Sequence, residues 1–199
     1  LFHTKLSNLA ILPRGRLDPL DIIEYEKVMN APGVLGDVLD EVDDRFDYMI
    51  IDTASGLGAI TRAALNTGGM VLAPFQAEPL TMRSIGQLLR VIEHISEQEN
   101  PELKLLGVLP NMVDLNAEAS RDVMTQLWSD FGGVMDTVIP RAEVFNFANY
   151  RGLPIGFLGG PIRPEARRFD LLAAEVESRV DQISFATGEA NDRPERQII

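Results

Sequence analysis

The feature that most constrains this 199-residue chain is an alternation of short apolar runs, each bounded by Asp, Gly, Pro or Asn, with longer amphipathic stretches. An unbroken apolar run suits a strand buried on both faces, and an amphipathic stretch suits a crossover helix covering one of them. The pattern predicts an α/β fold, a mostly parallel doubly wound sheet with helices on both faces. Candidate strands are residues 9–12, 48–51, 70–74, 105–109 and 137–139. Predicted helices cover residues 20–29, 57–66, 80–97, 117–131 and 164–183. One more opens at Pro32, whose fixed φ suits a first helical turn, and runs to residue 43.

Particular residues refine this plan. Gly68 and Gly69 are expected to close the third helix in the left-handed conformation. Ile85, Leu88, Leu89, Ile92 and Ile95 share one face of the 80–97 helix, with His94 half-exposed beside them. Trp128, the single tryptophan, is assigned to the core with Val123, Met124, Leu127 and Phe131. Residues 1–183 are expected to form a single domain, and 184–199 a polar tail that frays.

A hydrophobic content of 45% supplies one sizeable core. The chain has no cysteine, which excludes a disulfide framework and thiolate metal sites. A net charge of −12 argues against an extended basic surface that binds nucleic acid unaided. Basic residues do gather late, at Arg141, Arg151, Arg163, Arg167 and Arg168, either as a solvated helix face or as a local patch. No apolar run reaches the roughly 18 residues of a membrane span and no signal segment is visible, so a cytoplasmic location is expected. The chain opens on leucine, directly in a strand-like segment, and reads as a fragment of a longer protein.

The strongest local motif is Phe46-Asp47-Tyr48-Met49-Ile50-Ile51-Asp52-Thr53, an apolar run ending in an aspartate. In doubly wound sheets ligands bind at the carboxyl ends of the strands. A carboxylate there can hold partly hydrated Mg²⁺ shared with substrate phosphates, or it can cap the next helix.

The order of segments narrows this choice. Tyr48-Met49-Ile50-Ile51-Asp52-Thr53-Ala54-Ser55-Gly56-Leu57-Gly58 is followed by Val71-Leu72-Ala73-Pro74-Phe75-Gln76-Ala77-Glu78. Then come Leu106-Gly107-Val108-Leu109-Pro110-Asn111 and Val138-Ile139-Pro140-Arg141, and finally Gly152-Leu153-Pro154-Ile155. Together these segments, over residues 5–182, resemble the ParA/MinD family of deviant Walker ATPases. The resemblance implies ATP/ADP and Mg²⁺ as cofactors. It implies that Asp52 organises the magnesium as the catalytic and metal-binding residue, and that Asn111, Pro140 and Arg141 line the adenine pocket. Gln76 and Glu78 would lie near the nucleotide-side dimer face. On their own, Asn111 could cap a helix, Pro140 could end a strand and Gln76 could satisfy turn amides.

The resemblance further implies an ATP-dependent homodimer that partitions plasmid or chromosomal DNA or positions cargo. Such a protein answers to a ParB-like or cargo-adaptor activator and contacts DNA non-specifically, here through Arg163, Arg167 and Arg168, in association with the nucleoid. The tail carries no basic amphipathic helix, so membrane attachment through it is not expected. The family's glycine-rich Lys-Gly-Gly-x-Gly-Lys-[Ser/Thr] loop and its upstream switch aspartate do not occur in this sequence, whose three lysines are Lys5, Lys27 and Lys104. Ala54-Ser55 replaces the usual proline pair, and Phe147 stands where many relatives are acidic. A non-catalytic scaffold that keeps the fold without the phosphate loop is the alternative reading.

Overall fold

A computed structural model describes residues 1–187 apart from 17, 19, 43 and 44. Its centre is the parallel pair β3 (Met70–Gln76) and β4 (Lys104–Asn111), in register from Met70 opposite Lys104 to Gln76 opposite Asn111, with one irregularity between Val71 and Leu72. The segment 133–141 runs along the other edge of β4. The Val108 and Met135 amides donate to the Gly133 and Val108 carbonyls, Ile139 N–H to Pro110, Val113 N–H to Ile139 and Arg141 N–H to Val113. Residues 137–139 thus lie where a strand was expected, but bridging is confined to Val108–Val134 and Val113–Pro140, and no continuous ladder forms.

Side chains alternate across this sheet as a period of two requires. Ala73, Phe75 and Val108 face α4 (Met82–Gln98) and α5 (Glu118–Asp130), packing with Ile85, Val123, Met124 and Leu127. Leu109, Met135 and Ile139 face the opposite way, against Phe145 of α6 (Glu143–Arg151) and Leu172 and Val176 of α7 (Pro164–Thr187). Both faces are therefore covered, which is why the strands are almost uniformly apolar. Each such side chain, fully buried, contributes about 1.5–3 kcal/mol.

Helix α3 (Ala59–Thr67) enters β3 through Gly68 and Gly69. Gly68 is extended (φ −75°, ψ 147°) rather than left-handed. The Asn100 side-chain amide supplies the alternative closure, donating to the carbonyls of Leu65 (3.0 Å) and Gly68 (2.8 Å). Beside it Arg62 and Asn66 hold Glu99, and the hydrogen bond from Arg62 keeps that carboxyl below its ordinary range.

Several sequence expectations need correction. Residues 9–12 do not join the parallel sheet: β2 (Ala10–Ile11) pairs antiparallel with β1 (Phe2–His3) in an exposed hairpin. Residues 48–51 form no strand, only a single bridge at Met49. Tyr48 and Ile50 are 40% and 76% exposed. A strand in a sheet centre is paired along its whole length, whereas this run shows pairing at Met49 alone. Trp128 is 52% exposed, because Val123, Met124 and Leu127 already fill the face of α5 turned to the sheet. The early helices are shorter than expected, α1 over Ile22–Met29 and α2 over Val34–Asp40. Helix α6 was not anticipated, and α7 continues through residues 184–187, where Ser184 is buried. The rest of the expected tail, 188–199, lies outside the described residues.

Helix α7 fastens the outer segment. Arg179 donates to the carbonyls of Leu106, Gly133 and Val134, while Glu175 accepts the amides of Asp136 and Thr137, each at 2.8 Å. The pair itself is 2.9 Å apart. Burial opposes ionisation of Glu175, but hydrogen bonds from Thr137 and Asp136, with the Arg179 charge, outweigh it and leave the pKa lowered. The side chains of one helical turn thus stand in for a neighbouring strand.

Two outcomes follow. Arg179→Ala, which leaves Glu175 and three carbonyls without their cation, is expected to cost about 3 kcal/mol in urea unfolding. Because the folded pKa of Glu175 is depressed, its contribution is complete above the ordinary glutamate value of 4.5 and is lost as pH falls through the lower folded value. Glu175→Gln should therefore flatten that acid limb of a stability–pH curve, and an unchanged limb would show that Glu175 does not carry it.

Candidate functional site at the carboxyl edge of the sheet

Parallel pairing brings the exits of β3, β4 and the 133–141 segment to one edge. Gln76 and Asn111 are register partners, and Pro140 bridges Val113 just beyond β4. Of the residues singled out in the sequence, Gln76, Glu78, Asn111, Pro140 and Arg141 meet here. Asn111 Oδ1 accepts the Met112 amide at 2.9 Å, so this side chain shapes its own turn rather than capping a helix. Its Nδ2 has no partner among the described residues and is available to a ligand.

Glu78 sits at the centre of the polar contacts. Its Oε1 accepts from Gln76 Nε2 at 2.6 Å and from an Arg141 Nη at 2.8 Å. The Arg141–Glu78 pair is about half exposed on both sides, a setting in which an ion pair contributes about 0–1 kcal/mol. Thr81 fixes the turn leading into α4, its hydroxyl donating to the carbonyls of Gln76 and Glu78.

Two features here escaped the sequence. Met112 has φ 52°, the only positive φ at a non-glycine residue among those described. No residue type announced it, since asparagine tolerates that region best and here stands one place earlier. Nor does sequence separation reveal that Glu78 and Arg141 face each other.

Asp52 is not brought to this edge. It is exposed, and its neighbours Ile51 and Thr53 line a cavity of about 50 Å³ with Gly68, Met70 and Leu103, at the amino ends of β3 and β4. Without a strand over 48–51, nothing carries the aspartate along the sheet to its carboxyl edge. No group of three or more His, Asp or Glu side chains suited to a metal occurs among the described residues. Among the described residues the edge gathers amide, carboxylate and guanidinium groups from Gln76, Glu78, Asn111 and Arg141, and Asp52 stands apart from them. Arg163, Arg167 and Arg168 are exposed at the start of α7 and make no ion pair among the described residues. No helix among those residues is long and apolar enough to cross a membrane.

Substituting Met112 tests the strained turn. Met112→Gly should leave unfolding free energy within about 0.5 kcal/mol of the parent or raise it, whereas Met112→Val should cost about 1–3 kcal/mol. Equal effects would mean that the turn stores no strain.

A family model described as an AAA domain matches residues 2–105. The chain is 30% identical over 146 residues to the chromosome-partitioning ATPase Soj of Treponema pallidum, covering 73% of this chain and 57% of that protein. Among solved structures it resembles cobyrinic acid a,c-diamide synthase from Mycobacterium smegmatis with bound ADP and magnesium. The TM-score is 0.55 at 34% identity, covering 62% of this chain and 53% of that one. It also resembles the cell division ATPase MinD of Pyrococcus furiosus, with TM-score 0.65 at 23% identity, covering 89% and 68% of the two chains, a likeness of fold. The chain spans about half the length of the curated relatives it matches. On the matched domain, the identity to Soj and the parallel fold, the chain belongs to the ParA/MinD-type P-loop ATPase family.

Proposed function

We propose that the protein is a nucleotide-switch ATPase whose sheet edge at Gln76, Asn111 and Arg141 receives the base end of ATP. The observation that carries this reading is the convergence of Asn111, Pro140 and Arg141 from two separate exit turns. The Asn111 amide offers donors to a heteroaromatic edge, Pro140 a flat apolar surface and Arg141 a planar cation. Kinship with a chromosome-partitioning ATPase and with an enzyme solved with ADP and magnesium supports the choice of ligand.

In this reading bound ATP favours a homodimer and hydrolysis releases it, a shift between two populations. The switch serves partitioning of DNA or positioning of another cargo, and a ParB-like or cargo-adaptor protein sets its timing. Arg163, Arg167 and Arg168 are the candidate contacts to duplex DNA, made to phosphates and therefore independent of base sequence and weakened by salt. With a net charge of −12 the rest of the surface repels DNA and confines contact to that patch. A scaffold without hydrolysis is the second reading, and the position of Asp52 away from the edge favours it.

ATP titration of the protein at its native length, with magnesium present, separates the readings. Asn111→Ala and Arg141→Ala should each weaken binding about tenfold, the scale of one lost ligand hydrogen bond, without lowering Tm. Binding unaffected by both variants would remove the base site from this edge. Intact binding with no turnover would select the scaffold.

A further inference from the structure

The Glu78–Arg141 pair spans the end of a strand belonging to neither residue. Glu78 follows β3 and Arg141 ends the 133–141 segment, and β4 lies between them. Strands two places apart in a sheet are separated by about 10 Å. Only long side chains extended toward each other meet over that distance, and here they do so at 2.8 Å, over the exit where Asn111 and Met112 turn away. The ion pair is a strap laid across the surface that the proposed base site uses.

We propose that this strap is an internal competitor of the ligand: Glu78 holds Arg141 in the empty protein, and a nucleotide binds by taking the guanidinium from it. The inference rests on the base-site reading above. Three observations favour exchange over a fixed support. The pair is half exposed on each side, so opening it uncovers little buried charge. Arg141 reaches Glu78 through a single Nη, leaving the rest of its donor fork unengaged. Glu78 has another partner in Gln76 Nε2, so its carboxylate keeps a hydrogen bond when Arg141 departs. Thr81 holds the backbone carbonyl of Glu78 rather than its carboxylate, so the turn before α4 stays fixed while the side chain changes partner.

Stopped-flow binding of a fluorescent ATP analogue to the native-length protein tests this. Glu78→Gln keeps the size of the side chain and removes its charge, and should bind about two- to fivefold more tightly, mostly through a faster on-rate. In an Arg141→Gln background the same change should have no effect, because nothing remains to be released. Glu78→Gln binding more weakly than the parent, or equally in both backgrounds, would overturn the strap; Glu78→Ala with the same sign as Glu78→Gln guards against an effect of the new amide. A parent protein that binds no analogue would instead overturn the base-site reading beneath it.

Discussion

β4 is the strand on which the rest depends, because its backbone is bonded on both flanks while its side chains are buried on both faces. Such a strand cannot shift by one residue without exchanging its two apolar sets and breaking two rows of hydrogen bonds. Gly107 shows how closely its neighbours approach. A Cβ there would lie 2.5 Å from Met135 Sδ and 3.0 Å from both the Gly133 carbonyl and Arg179. The outer segment and α7 close onto β4 at that point, and this close approach fixes the register that carries Asn111, Pro140 and Arg141 to one edge.

Function at that edge follows from the separation of rigid and weak parts. Backbone bonds place the three exit turns, and the half-buried Glu175–Arg179 pair keeps the outermost from peeling away. The side chains presented above them are joined by half-exposed contacts that are individually weak. A framework held by backbone bonds beneath a polar surface held by weak contacts is a suitable arrangement for reading the presence of a ligand. Thr81 belongs to the framework, since its hydroxyl donates to the backbone carbonyls of Gln76 and Glu78 and fixes the turn into α4 beneath those side chains.

Much of this was legible in the sequence. The runs 70–74 and 105–109 read as strands because they are apolar, and the strands Met70–Gln76 and Lys104–Asn111 that contain them are flanked on both faces as that pattern requires. The five edge residues were identified by resemblance, and parallel pairing then explains their meeting. What failed did so for identifiable reasons. Apolar runs at 9–12 and 48–51 have the composition of a strand, but composition does not say which backbone a strand pairs with: residues 10–11 pair antiparallel with β1, and 48–51 form one bridge at Met49. Hydrophobicity places Trp128 inward, but Val123, Met124 and Leu127 already fill the facing layer. The Met112 turn and the Glu78–Arg141 contact depend on backbone conformation and long-range geometry, which no local pattern encodes.

Amide hydrogen exchange of the native-length protein, with and without ATP and magnesium, examines the central claim most directly. If the base end of the nucleotide sits at this edge, the amides of residues 76–78, 111–114 and 140–142 should slow on addition of ATP, while the clamp around residues 133–137 exchanges as before. Protection confined to other parts of the chain, with those three turns unchanged, would contradict the assignment.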